Sequence, residues 1–407
     1  MKTEQEHNDE QWKKVRFGEF FDMLPTNTLS RDKLNDQQGE YQNIHYGDVL
    51  IKYPYCLDCN NADIPFINDD VKFNMAVVRD GDVIFADTAE DDTVGKCVEV
   101  MNVGDRKIVS GLHTYFCRPR QKMALGYLGY FLNSNHFHNQ LLQYIAGSKV
   151  SSVNRTSISR TFISYPESLP AQRRIAAILA SADKVIAATQ KTIAKYKQIK
   201  QGMMEDLLKP KEGWEKVKFG EVGEVNPSNK GPVPDQFIYI DLESVIAGKL
   251  LFENYILKGN APSRAQRLVD KNDVLYQTVR PYQRNNYIHK KQGNYVASTG
   301  YALIRCYDDY EPDFIFYLLH THNFESVVLG LCTGTSYPAI APNNLKRIEI
   351  AIPFKNDKPD LAEQRRIAAI LSGIDAKIAA EEKVLQKYEK VKKGLMERLL
   401  EGNNMEL

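Results

Sequence analysis

The chain has few cysteines, no long apolar run and almost no excess charge. Six cysteines in 407 residues are too few and too scattered for a disulfide framework. No stretch approaches the roughly 18 consecutive apolar residues that a membrane span needs. The polar N-terminal segment also has no apolar centre, which excludes a secretory signal. With a net charge of +1, the sequence indicates a cytoplasmic protein without a membrane segment.

Metal-binding patterns are incomplete. Cys56 and Cys59 have the spacing of half a zinc site, but a structural zinc needs four ligands and the chain has no second CxxC or HxxxH. We interpret them as thiols in a turn after Tyr53. The histidine pairs at 136/138 and 320/322 follow apolar segments, and we interpret them as polar residues that close helices. No metal site is expected.

An internal duplication is the main positive feature. The segment 169–208 aligns without a gap on 361–400, with 22 identities in 40 positions. A weaker repeat opens at the only two tryptophans, Trp12 and Trp214. Each half is therefore a diverged body that begins at a tryptophan and ends in a near-identical helix, which gives the molecule an approximate twofold axis. The sequence divides into the first body (1–167), its helix (168–211), the second body (212–359) and its helix (360–407).

Both repeated segments predict unusually long helices. Asp360 is an N-cap with Glu363 three residues later, a pattern typical of a capping box, and Ser168 takes the cap position in the first copy. About 40 residues at about 1.5 Å each give about 60 Å. Because each helix carries a heptad seam, interrupted at Thr189 and Glu381, we expect an antiparallel coiled coil. The alternative is that each helix packs only on its own body. The seam residues are Ala182, Ile186, Ile193 and Tyr196 in the first copy and Ile374, Ile378, Leu385 and Tyr388 in the second.

The two bodies repeat one order of cues although most residues differ. Short β-rich runs surround one or two helix-like segments, which indicates a mixed α/β body. The fold expected is therefore α/β (mixed α+β), with two globular domains joined by two long paired helices in a pseudo-twofold arrangement. The cues are 81–85, 108–111, 114–117, 127–132, Gly147 and 162–165 in the first body, and 272–276, 296–299, 302–305, 314–319, Gly334 and 348–352 in the second.

The segment 276–298 of the second body mixes cations, tyrosines and amides. Cations neutralise phosphates, while Arg, Asn and Gln can make paired hydrogen bonds to base edges. The mixture is therefore typical of a surface that binds a DNA groove, and a solvated loop is the alternative. The candidates are Gln277, Arg280, Tyr282, Arg284, Asn285, Lys290 and Lys291, with a thinner set in the first body, namely Arg118, Arg120, Lys122, Lys149, Arg155 and Arg160.

The charge distribution does not give a strongly basic domain. Residues 1–167 hold 18 Lys and Arg against 23 Asp and Glu, and residues 212–359 hold 17 of each. The first helix, 168–211, holds nine against three. Since nucleic-acid binding domains are generally basic as a whole, DNA binding here must come from local patches or from the help of another subunit.

Catalytic patterns are incomplete as well. The segment 226–229, Asn-Pro-Ser-Asn, is superficially similar to the loop of adenine methyltransferases, but it lacks the aromatic residue that stacks on a flipped base, and no glycine-rich cofactor loop accompanies it. Asp360 with Glu381 and Lys383 matches a nuclease pattern, yet both parts fall on a long helix, where a strand-borne metal site cannot form. The sequence predicts no catalytic residues.

The repeated helix motif resembles that of specificity subunits of type I restriction-modification systems. The motif is Leu-x-x-Gln-Arg-Arg-Ile-Ala-Ala-Ile-Leu, at 169–179 and 361–371, followed by Asp183 or Asp375 and by the Lys-Tyr pair that ends at Tyr196 or Tyr388. The tryptophan openings and the elements Gly-Asp-Val-Ile at 81–84 and Asn-Asp-Val-Leu at 272–275 also fit. The resemblance covers essentially the whole chain.

That resemblance implies a non-catalytic DNA-reading subunit that binds no cofactor. It implies two target-recognition domains that read the two halves of an asymmetric double-stranded DNA site, about 34 Å apart, which the long helices can span. It also implies two methyltransferase subunits that use S-adenosylmethionine and restriction (translocase) subunits that use ATP and Mg²⁺. A purely helical adaptor is the competing class. The residues expected to dock subunits or to form the coiled coil are Gln172, Arg173, Arg174, Ile186, Ile193, Tyr196, Gln364, Arg365, Arg366, Ile378, Leu385 and Tyr388.

Overall fold

The computed structural model of the protein describes residues 11–68, 75–91, 93–147 and 151–401. The chain forms two compact units, one of Met1–Gln190 with Lys383–Leu407 and one of Lys191–Glu382. Both divisions fall inside the long helices, so each unit combines one body with part of each helix. The domain limits drawn on the sequence keep each helix whole, and they stay a prediction.

The first body is mixed α/β, as expected. Its described helices are α1 (Phe17–Phe20), α2 (Tyr46–Ile51), α3 (Tyr127–Leu132), α4 (Asn135–Leu142) and α5 (Arg155–Ser159). Its described strands are β1 (Trp12–Arg16), β2 (Phe21–Leu24), β3 (Leu34–Asn35), β4 (Tyr41–Ile44), β5 (Cys56–Asp58), β6 (Phe66–Ile67), β7 (Val83–Ala86), β8 (Thr88–Ala89), β9 (Cys97–Met101), β10 (Lys107–Ser110), β11 (Thr114–Pro119), β12 (Ser151–Ser152) and β13 (Phe162–Pro166).

Two larger sheets form the centre of the first body. The five-stranded sheet has the order β2-β11-β7-β9-β5 and the four-stranded sheet the order β10-β4-β6-β3. The first and last strands, β1 and β13, pair antiparallel and bring Trp12 opposite Pro166. The fully buried helix α3 lies close to β5, because a side chain on Gly129 would come within 2.4 Å of the carbonyl oxygen of Tyr55. Cys56 begins β5 and Cys59 lies in the turn that follows this strand, so the expectation of a turn is wrong for Cys56 and right for Cys59.

The second body has the same order of elements with different insertions. Its described helices are α7 (Pro312–Leu318), α8 (His322–Leu331) and α9 (Pro342–Arg347). Its described strands are β14 (Trp214–Lys218), β15 (Gly223–Val225), β16 (Gln236–Ile240), β17 (Val245–Ile246), β18 (Lys249–Leu250), β19 (Tyr255–Leu257), β20 (Ala265–Val269), β21 (Val274–Gln277), β22 (Tyr287–Ile288), β23 (Tyr295–Ser298), β24 (Tyr301–Cys306), β25 (Glu349–Lys355) and β26 (Lys358–Pro359).

The sheets of the second body have strand orders that correspond to those of the first body. The order β15-β24-β21-β22 corresponds to β2-β11-β7-β9, and the parallel pair β16-β23 corresponds to β4-β10. β14 pairs antiparallel with β25, with Trp214 opposite Pro353. The expected order of cues is therefore confirmed in both bodies. The histidine interpretation is only partly right, since His136 and His138 lie near the start of α4 and His322 begins α8.

The two long helices are α6 (Leu169–Leu207) and α10 (Leu361–Leu400). Their N-terminal caps agree with the sequence, since the hydroxyl of Ser168 accepts a hydrogen bond from Ala171 N–H and the carboxylate of Asp360 accepts one from Glu363 N–H. The reciprocal half of the capping box is absent from the described contacts, because the Glu363 carboxylate accepts hydrogen bonds from Arg366 and the Asp360 N–H donates to Pro353.

In the first unit, the start of α6 meets the end of α10. Ile175 and Leu179 share the core of the first body with Met396 and Leu400. Further along α6, Asp183 lies 2.6 Å from the ammonium group of Lys392, which precedes Met396 in the chain. Because the numbering rises along one helix while it falls along the other, the two segments run antiparallel. Burying each of these apolar side chains stabilises the packing by roughly 1.5–3 kcal/mol.

The second unit is built in the same way with the roles of the helices exchanged. Ile367 and Leu371, at the start of α10, share a core with Met204, near the end of α6. Asp375 lies 2.7 Å from Lys200. The predicted antiparallel pairing is therefore confirmed in each unit, and the alternative that each helix packs only on its own body is wrong.

The interruptions of the seam are accommodated locally. Thr189 is buried, and its hydroxyl donates a hydrogen bond to the carbonyl oxygen of Val185 on its own helix, so no polar atom of the hydroxyl is left unpaired. Ile193 and Ile378 are buried as the seam requires, whereas Tyr388 is exposed. The predicted seam is thus buried at Ile193, Ile378 and Thr189, whose hydroxyl is bonded within its own helix, and it is not buried at Tyr388.

Candidate DNA-binding surface

Two loops of the second body lie side by side beyond strand β21. The first covers 279–284 and the second 333–339, and backbone bridges join Val279 and Thr333 to Ala339. Arg280 N–H donates to the carbonyl oxygen of Pro338 at 2.7 Å, and Ile340 N–H donates to Thr278. We call these two segments the paired loops. Because several backbone bonds fix them, side chains on them have defined positions.

The first of these loops has an unusual backbone. A short turn, Pro281–Gln283, is flanked by Arg280 and Arg284, both with a φ of 54°. A left-handed conformation is uncommon for residues other than glycine and is found preferentially at functional sites. Gln277 is fully buried below the turn and holds it, since its side chain donates to Val279 and Gln283 and accepts from Asn285 N–H. Gln277 therefore supports the loop and is not accessible to DNA.

Most of the predicted cations of the second body are paired with carboxylates. Arg284 forms a two-bond ion pair with Glu325, which lowers the pKa of that carboxyl group. Lys290 lies 2.6 Å from Asp313, and Lys291 is bonded to Glu253. These pairs neutralise the cations within the body, so their charges attract DNA less than the sequence suggests. Their assignment to DNA binding stays a prediction.

Arg280 is different from the other three. Its guanidinium carbon lies 4.3 Å from the ring centre of Tyr337, and no carboxylate among the described residues pairs with it. Its Nε is buried without a hydrogen-bond partner in the described part of the chain, which costs about 1–3 kcal/mol. Tyr337 is 65% exposed and Tyr282 49% exposed, so the surface beside Arg280 is aromatic and open to solvent.

The predicted cations of the first body fall into three groups. Arg118 forms two bonds with the buried Asp82, and Arg120 is bonded to Asp22. The remaining described candidates are exposed, and their DNA-binding role stays a prediction. They are Lys122, Arg155, which lies over the ring of Tyr115, and Arg160. Lys149 lies outside the described residues.

The Gly-Asp-Val-Ile and Asn-Asp-Val-Leu elements have a structural role that the sequence did not reveal. Asp82 accepts two hydrogen bonds from Arg118 and one from Arg79 N–H. In the second body, Asp273 accepts two from Arg305 and one from Asp270 N–H. Each aspartate thus ties the turn before a central strand to the neighbouring strand. Arg118 corresponds to Arg305 of the second body, so its ion pair has a structural role in the fold.

The first body also has paired loops with the same backbone bonds. β8 and β12 pair there, Ala146 bridges to Ser152, and Val153 N–H donates to Asp87 as Ile340 N–H does to Thr278. In this alignment Ala89 takes the place of Arg280. Exposed Glu90 and Asp91 follow it. The paired loops of the two bodies therefore have the same pattern of backbone hydrogen bonds, but their side chains carry opposite charge.

The residues expected to dock subunits lie at the starts of the long helices. Gln172 and Gln364 are buried, and each accepts a hydrogen bond from a backbone N–H of its own body, that of Ala124 or Glu311. They fix the helix on the body and are not exposed to a partner. The arginines beside them are exposed, which are Arg173, Arg174, Arg365 and Arg366. Arg365 contacts Glu311, and the docking role of all four stays a prediction.

Sequence reasoning missed a polar lock that occurs once in each unit. Asp183 accepts hydrogen bonds from Lys392 and from the hydroxyl of Tyr130, and the ammonium group lies 4.5 Å from the ring centre of Tyr55. The second unit repeats it with Asp375, Lys200 and Tyr317. Burial and then the nearby negative charges raise the pKa of both tyrosines, which stay protonated as donors. The signal was present, because both the Asp and the Lys are identical in the two helix copies.

The patterns considered for catalysis have structural explanations. The side chains of Asn226 and Asn229 accept hydrogen bonds from the backbone of Leu303 and Leu268, so this segment joins strands. Asp360 is a helix cap, as described above. Within the described residues no group of three or more His, Cys, Asp or Glu could hold a metal ion. None of the helices described is long and apolar enough to cross a bilayer.

Comparison with known proteins places the chain in a family. The family model for the type I restriction modification DNA specificity domain matches residues 9–198 and again 211–390. Two matches that together cover most of the chain mean that it belongs to this family of specificity subunits, as the resemblance of the helix motif suggested. The two matched segments agree with the duplication seen in the sequence.

Individual relatives agree with this assignment. The MjaX specificity subunit of a type I restriction enzyme from Methanocaldococcus jannaschii is 26% identical over 87% of this chain and 83% of the relative, and the MjaVIII subunit of the same organism is 24% identical over 63% and 65%. Solved structures show the same fold. The crystal structure of the type I restriction-modification S subunit from M. genitalium matches with a TM-score of 0.57 at 13% identity, over 98% of both chains. A chain from a structural study of complex assembly and conformational transition of the type I system gives the same TM-score at 18% identity, over 97% of this chain and 98% of that one. The last two show a shared fold.

Proposed function

We propose that the two bodies of this chain read the two halves of a split, asymmetric duplex DNA site and that the long helices set the distance between the halves. The observation that carries this proposal is a duplicated scaffold with unlike surfaces. The paired loops keep the same backbone hydrogen bonds in both bodies, yet the position that Arg280 holds in the second body is held by Ala89 in the first. A scaffold of this kind suits recognition of two different sequences by one chain.

In this proposal the chain performs no chemistry and binds no cofactor of its own. It positions two methyltransferase subunits, which transfer the methyl group of S-adenosylmethionine to adenine, and it also binds restriction (translocase) subunits that use ATP and Mg²⁺. The duplicated starts of the two long helices support equivalent docking of two copies of one partner. Each presents an exposed arginine pair, which are Arg173 with Arg174 and Arg365 with Arg366.

A gel-shift experiment separates this function from that of a helical adaptor. The full chain is purified with the modification subunit of its own system and is mixed with duplexes that carry the sequence methylated in the host genome. We expect binding to that sequence and much weaker binding to a shuffled duplex of the same composition. Equal affinity for both duplexes would favour the adaptor and would contradict the proposed reading function.

Methyl transfer tests the absence of chemistry. The purified chain alone, incubated with cognate DNA and radiolabelled S-adenosylmethionine, should transfer no label. Addition of the modification subunit should produce label at adenines of the two-part sequence. Label transferred by the chain alone would assign it a catalytic centre and would overturn this part of the proposal.

A further inference from the structure

We propose that Arg280, stacked on Tyr337, reads a guanine in the half-site bound by the second body. This inference rests on the function proposed above and assigns a base to one position of it. Its starting point is the contrast among four cations of one segment. Arg284, Lys290 and Lys291 each have a carboxylate partner, and Arg280 has none in the described chain. Arg280 is therefore the cation of this segment whose hydrogen-bonding groups are left for a ligand.

The position of the guanidinium is fixed before any ligand binds. Its carbon lies 4.3 Å from the ring centre of Tyr337. The backbone N–H of Arg280 is bonded to Pro338, and the loops are bridged at Val279. A planar cation held on a ring and a rigid backbone keeps its orientation, so little conformational freedom is lost when it binds.

The geometry also selects which edge of Arg280 can bind. Nε is buried without a partner among the described residues, so the Nη1 and Nη2 groups form the available pair of donors. Two parallel N–H donors match the O6 and N7 acceptors that guanine presents in the major groove, a commonly observed specific contact. The exposed ring of Tyr337 lies beside this pair and can contact the neighbouring base.

Among its described residues, the first body has no arginine at the equivalent place of its paired loops. Ala89 occupies the place of Arg280 and is buried, and the exposed Glu90 and Asp91 follow it. Val150 takes the place of Tyr337 in the alignment and lies outside the described residues. The guanine contact is therefore specific to one half-site, and its loss should leave the other half-site unchanged.

Selection from a random duplex library tests the assignment. The chain, purified with the modification subunit of its system, is incubated with duplexes of random sequence, and the bound fraction is sequenced. The wild type should enrich a two-part motif with a guanine in one part. Arg280→Gly should lose the preference at that position by about 5- to 150-fold and keep the other part. Glycine is chosen because it adopts the positive φ of this position without strain, so the loop should fold normally.

Four further variants separate the base contact from other effects. Arg280→Lys keeps the charge but loses the paired donors, and we expect it to relax the same position. Tyr337→Phe keeps the ring and should retain the motif, whereas Tyr337→Ala should behave like the glycine variant. Tyr307→Ala removes a tyrosine that is 50% exposed outside the paired loops, and it should leave the motif unchanged.

The possible results are distinct. A wild type that enriches no sequence would contradict the proposed function itself. A two-part motif that Arg280→Gly leaves intact would overturn the guanine assignment while the function stands. The third result is a loss of binding affinity that is equal for all sequences, with an unchanged motif and a salt dependence reduced by about one ion. This result would show that Arg280 contacts a phosphate and would also overturn the guanine assignment.

Discussion

One buried glutamine at the start of each long helix connects that helix to its body. Gln172 accepts a hydrogen bond from Ala124 N–H and donates to the carbonyl oxygen of Pro166, and Gln364 does the same with Glu311 and Asp309. A buried amide with both ends bonded has one orientation, so it fixes the helix start on the body. The Gln-Arg-Arg motif therefore combines a buried residue with two exposed ones.

Replacement of Gln172 by Ala should destabilise the first unit by about 1–3 kcal/mol, because the N–H of Ala124 loses its acceptor in a buried place. The chain provides its own probes, since Trp12 lies in the first body and Trp214 in the second. Urea unfolding followed by Trp12 fluorescence, in a Trp214→Phe background, measures the effect. The matched control Gln190→Ala removes an exposed glutamine of α6 and should change the midpoint little. Equal effects of both variants would refute the role of the buried amide.

A buried carboxyl group makes the stability of the first unit depend on pH. Glu99 is fully buried, and its burial raises its pKa from 4.5 to about 7, although Gly126 and Gly129 N–H bonds oppose the shift. Between pH 4.5 and 7 the folded protein binds this proton more tightly than the unfolded chain. Stability contributed by the group is therefore lost as pH rises through this window, and a shift of this size corresponds to roughly 3 kcal/mol.

The pH dependence is tested by comparing slopes. The urea midpoint of the first unit, followed by Trp12 fluorescence, is measured at pH 5 and pH 8 for the wild type and for Glu99→Gln. The wild type should lose more stability than the variant over this interval, since the amide does not titrate and the other groups are common to both. The variant also loses one backbone hydrogen bond, which lowers both of its midpoints equally. Identical slopes would contradict the raised pKa.

At this scale the sequence was informative about residue types and not about their partners. Arg280, Arg284, Lys290 and Lys291 were all predicted from composition, and three of them are neutralised by carboxylates distant in the chain, such as Glu253 for Lys291. Sequence spacing cannot reveal such a pair, because it depends on which loops the fold brings together. The pairing on Tyr337 was hidden for the same reason.

At the scale of elements, the polar lock explains why the helix copies keep their identical Asp and Lys. Each unit joins an Asp from the start of one helix, a Lys from the end of the other and a Tyr from the body, as in Asp375, Lys200 and Tyr317. The pair can form in one register only, so it specifies how far the helices overlap. The apolar seam alone would also accept a shift by a heptad.

A double-mutant cycle on Lys200 and Asp375 should give a coupling energy of about 1 kcal/mol. The estimate is modest because both side chains are partly exposed, at 26% and 37%, and solvent screens the pair. The free energies of unfolding of the two single variants to Ala and of the double variant are compared with the wild type by Trp214 fluorescence. The same cycle on Lys216 and Glu349, an exposed pair 3.7 Å apart, should give nearly zero. Equal coupling in both cycles would argue against a specific lock.

The long helices were the part of the fold that the sequence predicted best. Their period, their caps and their length follow from local chemistry, and α6 and α10 begin where Ser168 and Asp360 predict. What could not be predicted is that the end of each helix joins the core of the other body, as Met204 does. The two copies are so similar that nothing in the helix sequence distinguishes one body from the other as its partner.

At the scale of the whole molecule, duplication and divergence serve different ends. The elements that recur in both units are internal, namely the tryptophan strand pair, the buried glutamine, the Asp–Arg pair below each central strand and the polar lock. The elements that differ are exposed, above all the paired loops. Under the proposed function, a scaffold maintained in this way would keep two equivalent partner sites while the surfaces proposed to read DNA change independently.

The distance-setting role of the helices can be tested by a matched deletion of seven residues in each. Removal of 184–190 together with 385–391 retains the pairs Asp183 with Lys392 and Lys200 with Asp375, and it preserves the heptad phase. Each helix becomes about 10 Å shorter, close to the length of three base pairs. Because a spacer shorter by three base pairs also rotates one half-site relative to the other around the duplex axis, the shortened protein should no longer bind the original spacer. Selection from a library with random spacers should yield a shorter spacer or none.

The control deletes 184–190 alone. It leaves the two helices unequal, so the locks of both units cannot form together, and we expect a lower unfolding midpoint by both tryptophans. The matched double deletion should unfold near the wild-type midpoint, which separates a change of length from a loss of folding. A well-folded double deletion that still selects the original spacer would show that the helices do not set the distance. The separation of the half-sites would then have to be fixed by the DNA or by the partner subunits.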